Sequence, residues 1–355
     1  MSNVNIDSLL RENIRLLKPY SSARDEFEGD GSIFLDANES PAPMVDLPKG
    51  INRYPDPLQK TVKAKLAKLK GVAPNGIFLG NGSDEAVDLL FRCFCNPGLD
   101  NVVVFPPTYG MYEVCAAINQ VEVVTSQLDE NFNINLDDFW RKVDNSTKLV
   151  FICNPNNPTG NTQQRSTIDE IAKSFNGLVV VDEAYIDFCA EESSVPLLNT
   201  YPNLVVLQTF SKAWGLAGAR LGIALANSKI IAAMNKVKFP YNLGLPAIAL
   251  AEKALSKVEE LQQRVAETKT NKEWLVEQLS SMPRVERIYP SKANFLLVKT
   301  ASAAKIYQTL ISNGIVVRDR SSQPGCGNCL RVTVGNADEN SALVNAWSNI
   351  KNSEL

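Results

Sequence analysis

The sequence predicts an α/β protein: a large domain with a mostly parallel open sheet flanked by helices, a smaller α+β C-terminal domain and an N-terminal arm. Apolar, strand-like runs alternate with stretches in which apolar residues recur at helical spacing. Most of these runs lead into a polar loop rich in glycine, proline or asparagine. This pattern is typical of an open α/β sheet, whose ligand binds outside the carboxyl ends of the strands.

The predicted domain limits follow changes in composition along the chain. Proline, glycine and mixed polarity near the start indicate an extended arm. After residues 241–246 long amphipathic helical stretches begin, and short strands follow at residues 294–298, 315–318 and 330–334. We therefore predict an N-terminal arm over residues 1–45, a large domain over 46–240 and a small C-terminal domain over 241–355.

A helix is predicted after Leu58, because Val62, Leu66 and Leu69 recur at helical spacing and Gly71 stops the pattern. The lysines that lie off this apolar stripe are interpreted as a solvated face. They are Lys60, Lys63, Lys65 and Lys68.

The next unit is predicted as strand, glycine turn and helix. The strand covers residues 77–79, the turn holds Gly80 and Gly82, and Ser83 is predicted as the N-cap. Free backbone N–H groups and the positive end of the helix would meet around Ser83 and Asp84, where a phosphate would be stable. The third glycine of a dinucleotide fingerprint is absent, so the glycine pair alone is a weak signal.

Three further buried strands lead into loops that carry candidate ligand-binding side chains. Tyr109 lies in a proline-restricted loop, where it could stack on a planar ligand or pack within the loop. Asn157 lies in a turn-rich loop, where its amide could bond a ligand oxygen. Asp182 follows the strand at residues 178–181, and a buried carboxylate at that point needs a cationic partner.

The stretch over residues 204–222 carries the most specific signal. An apolar run is followed by Thr209, Ser211 and Lys212, and then by a glycine-rich segment that includes Arg220. Burial disfavours the charge of a lysine, which frees its amine to attack a carbonyl and form a Schiff base. The two hydroxyls and the guanidinium suit a phosphate. Together these groups indicate a phosphate-bearing aldehyde cofactor.

Composition excludes several classes of function. The net charge of −3 comes from mixed signs, so the chain offers no basic surface for nucleic acid or an anionic membrane. There is no apolar run of transmembrane length and no apolar block of a signal peptide, so we expect a cytoplasmic protein. The absence of histidine excludes Ser-His-Asp and Cys-His catalysis and a histidine-ligated metal within one chain.

The seven cysteines are predicted to be reduced core thiols. Cys326 and Cys329 form a single CxxC, and a structural zinc site would need a second pair of ligands. We interpret this motif as a loop coincidence and expect no metal.

Three motifs in order resemble those of the fold-type I aminotransferases that use pyridoxal 5′-phosphate: residues 154–160, residues 182–185, and residues 211–220 with Lys212 and Arg220. Residues 35–39, 215–218 and 289–295 resemble in sequence the corresponding motifs of histidinol-phosphate aminotransferases within that superfamily. The match covers nearly the whole chain.

The resemblance implies pyridoxal phosphate as the cofactor and a role for each matching residue. Lys212 would hold the cofactor and move the substrate proton, and Asp182 would pair with the pyridine nitrogen. Tyr185 and Asn157 would hydrogen-bond the phenolic oxygen of the ring, and Tyr109 would stack on its face. The phosphate would lie among Ser83, Asp84, Thr209, Ser211 and Arg220, with Tyr54 reaching it from the partner subunit of a homodimer with shared active sites.

The resemblance also implies the substrates. Histidinol phosphate and 2-oxoglutarate would be interconverted with imidazole-acetol phosphate and glutamate, a step of histidine biosynthesis. Arg331 lies where the family binds the carboxylate of the acceptor, and Arg318 is the second arginine, with Tyr20 and Asn38 from the arm. Arg320 lies two residues after Arg318 on the same face of a strand, so the choice between these two stays open.

Other functions remain as alternatives. Within the fold these are an aromatic or broad-range aminotransferase and a threonine-phosphate decarboxylase, which cleaves a different bond at Cα. A pyridoxal-phosphate-binding regulator would need a DNA-binding module, and no such segment is evident. An NAD-dependent dehydrogenase would need Gly-x-Gly-x-x-Gly after the first strand and would leave Lys212 unexplained.

Overall fold

The computed structural model describes residues 4–19, 35–45 and 50–350. Its strands are β1 (Ile77–Asn81), β2 (Asn101–Val104), β3 (Glu122–Thr125), β4 (Thr147–Cys153), β5 (Leu178–Asp182), β6 (Leu204–Thr209), β7 (Leu221–Ala226), β8 (Val285–Ile288), β9 (Phe295–Thr300), β10 (Arg318–Asp319) and β11 (Cys329–Thr333). Its helices are α1 (Ile6–Leu9), α2 (Glu12–Leu16), α3 (Lys60–Lys70), α4 (Ser83–Phe94), α5 (Met111–Ile118), α6 (Leu136–Lys142), α7 (Arg165–Ser174), α8 (Ser228–Val237), α9 (Leu245–Ala254), α10 (Val258–Ser280), α11 (Ala303–Ser312) and α12 (Ala337–Ser348). Short 3₁₀ helices lie at Pro74–Gly76, Ile186–Glu192, Val195–Asn199 and Ala217–Ala219.

The large sheet has seven strands in the order β1-β7-β6-β5-β4-β2-β3. All its strands are parallel except β7, which runs antiparallel to β1 and to β6. Strands β2, β4, β5 and β6 are almost continuous apolar runs, because helices cover both faces of the sheet. The predicted open, mostly parallel sheet flanked by helices is confirmed.

The reversed strand β7 joins two parts of the molecule that are far apart in sequence. Gly222 lies opposite Gly80 of β1 and opposite Thr209 of β6. The loop before β7 therefore arrives beside the turn that leads into α4. The backbone N–H of Gly82 donates a 2.7 Å hydrogen bond to the carbonyl of Arg220. This pairing holds the glycine turn and the arginine together.

Two apolar cores lie on opposite faces of the large sheet. One includes side chains of α4, α5 and α8, and the other includes side chains of α3, α6, α7 and α9. Ala251 of α9 is fully buried in the second core, so this helix packs on the large sheet although it follows the predicted limit at residue 240. The domain limits themselves stay a prediction.

The C-terminal part is built on an antiparallel sheet with the order β10-β11-β9-β8. A third core forms between this sheet and helices α10, α11 and α12. Cys326 and Cys329 are buried free thiols, and they pack with Phe132, Tyr289 and Leu297. Among the described residues, no group of three or more histidine, cysteine or acidic side chains is arranged to hold a metal ion.

Two details differ from the sequence-based predictions. Lys63 of α3 is only 6% exposed, so its assignment to a solvated face was wrong. The residue lies next to Val62 on the flank of the apolar stripe, and α3 is covered there by other elements. The N-cap of α4 is Gly82, whose φ is 77°, and Ser83 is the first helical residue.

The predicted N-terminal arm contains α1 and α2, which pack against α8 through Ile6 and Ile14. Tyr20 lies outside the described residues. No helix in the described ranges has both the length and the apolar character that a membrane span needs.

Candidate active site

A cavity of about 500 Å³, counting the part open to solvent, lies at the carboxyl ends of β4, β5 and β6, where the fold class places a ligand. Ten of the predicted site residues line this cavity. They are Ser83, Asp84, Tyr109, Asn157, Asp182, Tyr185, Thr209, Ser211, Lys212 and Arg220, and Gly82, Cys153 and Ala184 complete the lining.

One end of the cavity has the features of an anion site. The first turn of the 12-residue helix α4 presents the backbone N–H groups of Ser83 and Asp84. Arg220 has a φ of 53° and lies beside this turn, with its Nη2 3.4 Å from a carboxylate oxygen of Asp84. A Cβ on Gly222 would overlap the backbone nitrogen of Ser83. Glycine at position 222 therefore permits the close approach of β7 to the helix start.

Two hydroxyls lie at the same end. Thr209 Oγ1 donates to the carbonyl of Leu221 at 3.0 Å and accepts a 3.1 Å hydrogen bond from the backbone N–H of Ser211. The hydroxyls of Thr209 and Ser211 are 3.0 Å apart. The Ser211 hydroxyl, the helix start and Arg220 form a set of donors suited to a phosphate group, and Thr209 holds the backbone of Ser211 beside them.

Lys212 follows directly after these hydroxyls. Its Nζ lies 5.4 Å from the ring centroid of Tyr185. The residue is exposed, yet loss of hydration and then the positive charge of Arg331 lower the pKa of its amine. Asp182 and Asp84 act in the opposite direction. The amine is thus closer to its uncharged, nucleophilic form than a lysine in water.

Asp182 lies at the bottom of the cavity and is only 2% exposed. Its Oδ1 accepts from the backbone N–H of Ala184 at 3.1 Å, and its Oδ2 accepts from the hydroxyl of Tyr112 at 2.7 Å. Burial raises the pKa of this carboxyl to about 6, while the hydrogen bond from Tyr112 acts to lower it. A buried carboxylate of this kind is stabilised by a cationic ligand group.

Tyr112 is a site residue that the sequence did not reveal. It is fully buried, stacks on Phe151 with centroids 4.7 Å apart, and meets the ring of Tyr109 edge-on at 5.5 Å. In the sequence it has the ordinary position of a core residue of α5. Its one signal was the polar hydroxyl on that apolar face, which needs a buried partner.

Tyr109 also lines the cavity. Its hydroxyl donates a 2.9 Å hydrogen bond to Asp84 Oδ1, which fixes the ring beside the start of α4. The Tyr109 ring is therefore held at the cavity by a group of the anion site.

The opposite wall joins the two sheets. Tyr185 is buried, and its ring meets Phe295 edge-on with centroids 5.0 Å apart. Arg331 lies 5.4 Å from the centroid of Phe295 and donates a short hydrogen bond to Asn157 Oδ1. Arg331 thereby connects β11 of the small sheet to the loop after β4.

Three arginines form a positive cluster next to this wall, although none of them is a lining residue of the cavity. Arg318 lies opposite Arg331 in the pairing of β10 with β11, and Arg320 follows at the end of β10. Burial, and then the charges of neighbouring arginines, lower the pKa of Arg320. Burial also lowers the pKa of Arg331, with Arg318 adding to the effect. Arg318 is exposed, whereas Arg320 is half-buried and its Nε has no hydrogen-bond partner in the described residues.

Like the predicted Arg318 and Arg331, the predicted residues Tyr54 and Asn38 are not in the cavity lining. Tyr54 is 47% exposed and stacks on Tyr241 with centroids 4.4 Å apart. Asn38 is exposed, with a φ of 53°. The neighbouring Glu39 accepts hydrogen bonds from Arg53 and from the backbone N–H of Tyr54. These contacts tie the end of the arm to the segment that carries Tyr54.

A family comparison agrees with this arrangement. The family model described as aminotransferase class I and II matches residues 35–346, which is most of the chain. The chain belongs to this aminotransferase family. A lysine, a buried aspartate and a helix-start anion site around one cavity are consistent with that membership.

Relatives of this aminotransferase extend over nearly its full length. It is 50% identical to the histidinol-phosphate aminotransferase of Parabacteroides distasonis over 98% of this chain and 99% of the relative. Its fold is similar to the crystal structure of the histidinol-phosphate aminotransferase from Clostridium acetobutylicum, with a TM-score of 0.80, 25% identity and coverage of 86% and 92% of the two chains.

A third comparison concerns the cofactor. The histidinol-phosphate aminotransferase from Sinorhizobium meliloti, solved in complex with pyridoxal-5′-phosphate, has a TM-score of 0.76, 25% identity and coverage of 83% and 82%. The class I and II aminotransferases are pyridoxal-phosphate-dependent transaminases, and this chain is one of them.

Proposed function

We propose that this aminotransferase exchanges the amino group between histidinol phosphate and 2-oxoglutarate, giving imidazole-acetol phosphate and glutamate. The observation that carries the proposal is the 50% identity to a histidinol-phosphate aminotransferase over nearly the whole of both chains. The positive cluster that adjoins the cavity through the bond from Arg331 to Asn157 supports it on physical grounds.

The cluster of Arg318, Arg320 and Arg331 is suited to an anionic substrate. None of the three guanidiniums forms an ion pair with a carboxylate among the described residues. Like charges held together without a counter-ion disfavour one another, and a phosphate or carboxylate relieves that cost. The same cluster could therefore hold the phosphate of the donor and a carboxylate of 2-oxoglutarate in turn.

The residues of the cavity fit pyridoxal phosphate. Ser83, Asp84, Thr209, Ser211 and Arg220 would hold its phosphate, since they offer backbone N–H groups, hydroxyls and a guanidinium at one end. Asp182 would pair with the protonated ring nitrogen, which gives this buried carboxylate the cation that it needs. When bound, the cofactor supplies an electron-accepting ring that stabilises negative charge on the substrate Cα.

Lys212 is the proton-transfer group that we propose. With no histidine in the chain, a tuned amine is the natural base near neutral pH. Loss of hydration lowers its pKa and raises the fraction of free amine. Nζ of Lys212 would take the proton from Cα of the donor and deliver it to a carbon atom of the cofactor.

The aromatic and amide side chains position the ring. Tyr109 would stack on the ring face, because its hydroxyl is held by Asp84 at the anion site. Tyr185 and Asn157 would hydrogen-bond the phenolic oxygen of the ring. The bond from Arg331 to Asn157 then links the substrate anion site to the cofactor site.

We infer a homodimer with shared active sites. Tyr54 lies on the surface and outside the cavity lining of its own chain. Its stacking on Tyr241 holds the side chain in a defined position where a second copy could use it. Tyr54 would then reach the phosphate in the partner's cavity, and Asn38 and Tyr20 of the arm would contribute to the substrate site.

A panel of amino donors with 2-oxoglutarate tests the substrate. We expect kcat/KM for histidinol phosphate to exceed that for phenylalanine or tyrosine by at least about tenfold, which is 1.4 kcal/mol. If phenylalanine or tyrosine reacts faster, the enzyme is an aromatic aminotransferase. Release of carbon dioxide from threonine phosphate without glutamate formation would indicate the decarboxylase instead.

A further inference from the structure

Tyr54 and Tyr241 lie on two stretches of chain that are distant in sequence and adjacent in the structure. Residues 54–59, the Tyr54 segment, lead into α3, and residues 238–242, the Tyr241 segment, lie between α8 and α9. The two rings stack with centroids 4.4 Å apart and an angle of 19° between their planes. The position of the Tyr54 ring therefore depends on how the two segments are joined.

Lys238 joins the two segments. It is the first residue of the Tyr241 segment and is only 8% exposed. Its Nζ donates a 2.9 Å hydrogen bond to the carbonyl of Pro57, in the Tyr54 segment. It also donates to the carbonyls of Phe239 and Pro240, in its own segment, at 3.2 and 2.8 Å. Because charge-assisted hydrogen bonds are stronger than neutral ones, this side chain is a firm cross-link beside the stacked rings.

Other contacts support the Tyr54 segment at both of its ends. At one end, a carboxylate oxygen of Glu39 accepts a 2.6 Å hydrogen bond from the backbone N–H of Tyr54. At the other end, Gln59 is buried, and its Nε2 donates to the carbonyl of Pro57 at 2.9 Å and to Oδ1 of Asn242 at 3.4 Å. The backbone is thus fixed on both sides of the exposed Tyr54 ring.

Asn242 holds the Tyr241 segment to the glycine turn of the same chain. Its Nδ2 donates to the carbonyl of Leu79 at 3.0 Å and to the two carboxylate oxygens of Glu85 at 3.1 and 3.0 Å. These bonds do not involve Lys238. Loss of the Lys238 amine should therefore leave the anion site of its own chain in place.

We propose that Lys238 is a positioning residue for the cofactor phosphate in the partner subunit. Lys238 is not in the cavity lining of its own chain, and neither is Tyr54. It holds the two segments together, so that the stacked rings present the Tyr54 hydroxyl to the other subunit. The inference rests on the proposed function, because it needs the homodimer in which Tyr54 reaches the partner's phosphate.

Hybrid dimers of two differently tagged chains test in which subunit Lys238 acts. One chain carries Lys212→Ala, so that each hybrid has a single site able to transaminate. The measurement is the pyridoxal phosphate concentration that gives half-maximal transamination. With Lys238→Met on the Lys212→Ala chain, Tyr54 of the altered chain serves the working site, and we expect this concentration to rise at least about fivefold.

The opposite arrangement is the decisive comparison. With Lys238→Met on the chain that keeps Lys212, the concentration should equal that of a reference hybrid with Lys212→Ala alone. An equal rise in both arrangements, or no rise in the first, overturns the proposal. Lys236→Met is the matched control, because Lys236 lies two residues before Lys238 and donates to the carbonyl of Arg15 at 3.4 Å.

Tyr54→Phe on the Lys212→Ala chain tests the proposed function separately. We expect it to raise the half-maximal concentration at least about tenfold, because a hydrogen bond to the phosphate is lost. If Tyr54→Phe has this effect and Lys238→Met does not, the shared site stands and the positioning role is wrong. If Tyr54→Phe has no effect, the shared site is wrong, and the role of Lys238 falls with it.

The two forms of the cofactor separate positioning from a general loss of structure. Pyridoxal lacks the phosphate, so Lys238→Met homodimers should bind it as the unaltered enzyme does, while their affinity for pyridoxal phosphate falls at least about fivefold. Equal losses for both ligands would contradict the proposal. If Lys238→Met fails to fold, Lys238→Gln replaces it in every arrangement. Its side chain keeps a donor but is one bond shorter, so the link to Pro57 is lost.

Discussion

The hydroxyl of Tyr112 donates a 2.7 Å hydrogen bond to Asp182 Oδ2 inside the protein core, 70 residues away along the chain. Both side chains are buried, and the Tyr112 ring is held by stacking on Phe151. The backbone N–H of Ala184 donates to the other oxygen. Tyr112 thus acts as a positioning residue, because it orients the carboxylate that would face the cofactor ring nitrogen and favours its ionised form.

Replacing Tyr112 with Phe keeps the ring packing and removes one hydrogen bond to a charged acceptor. Such a bond contributes about 1.5–3 kcal/mol, so we expect kcat/KM to fall at least about tenfold. Without the donor, the pKa of Asp182 rises further above its ordinary value, and the acidic limb of the pH–rate profile should move to higher pH. Tyr307→Phe, in the small domain, controls for loss of a tyrosine hydroxyl. If the pH–rate profile of Tyr112→Phe were unchanged, Tyr112 would contribute to core packing alone.

Asp182→Asn should change how the stability of the cofactor-free protein depends on pH. The folded protein protonates this carboxyl below about pH 6, whereas its ordinary pKa is 3.8. Between about pH 4 and about pH 6 the unfolded chain has released this proton, whereas the folded protein still holds it. The free energy of unfolding therefore falls as pH rises through this range. A difference of about two pH units corresponds to about 3 kcal/mol.

Urea unfolding at a series of pH values measures this effect. The free energy of unfolding of Asp182→Asn, relative to the unaltered chain, should increase by up to about 3 kcal/mol from about pH 4 to about pH 6 and then stay level. Asp137→Asn, on an exposed helix face, controls for one lost charge. Bound cofactor should reduce the difference. A gap independent of pH between about 4 and 6 would contradict the raised pKa.

The sequence predicted the central strands because their burial leaves a direct signal. Residues of β4, β5 and β6 are apolar on both faces, and the loops after them carry the polar site residues. The sequence did not predict β7, because Leu221–Ala226 continues a glycine-rich segment. No local pattern indicates that this strand runs antiparallel to its neighbours. The sequence also missed β3 at the sheet edge, where Glu122 and Thr125 are exposed. Edge strands bury little surface and so leave a weak pattern.

Within the site, residues next to a motif were predictable and those held by distant contacts were not. Lys212 and Asp182 belong to local motifs. Tyr112 is functional only because β5 brings Asp182 to it, and Arg320 gained significance only from its buried, unpaired Nε. Lys63 was misassigned for the same reason. Helical spacing identifies a stripe, but only packing of other elements decides how wide the buried face is.

Gly222→Ala should disrupt the anion site, although Gly222 itself is not in the cavity lining. The added Cβ would overlap the backbone nitrogen of Ser83 and the carbonyl carbon of Gly82, so α4 or β7 must shift. We expect the affinity for pyridoxal phosphate to fall at least tenfold, about 1.4 kcal/mol, and the thermal midpoint to drop. Gly218→Ala, two residues before Arg220, has open space around its Cβ and is the matched control. Fluorescence titration with the cofactor measures the effect, and equal affinities in the two variants would refute the role of this close approach.

Lys212→Ala should abolish transamination without loss of the fold. The amine is the base that we assign, and its side chain is exposed, so truncation costs little packing. Borohydride reduction of the loaded enzyme should attach the cofactor to Lys212, and peptide mapping locates the attachment. Lys292→Ala serves as a lysine control outside the cavity. Attachment at another lysine in the unaltered enzyme would remove Lys212 from its proposed role.

Single Arg→Gln changes at positions 318, 320 and 331 should separate the roles of the positive cluster. Each lost charge-assisted hydrogen bond is worth about 1.5–3 kcal/mol, which predicts a ten- to hundredfold rise in KM for histidinol phosphate. We expect KM for 2-oxoglutarate to rise as well, because the same cluster would hold its carboxylate, and to rise most for Arg331→Gln, because Arg331 also fixes Asn157 beside the cofactor site. Arg320→Gln should exceed Arg318→Gln in effect, since Arg320 is half-buried with an unpaired Nε and Arg318 is exposed. Arg141→Gln, on the surface of α6, is the control. A larger effect at Arg318 would reverse this order and make Arg318 the second anion-binding residue.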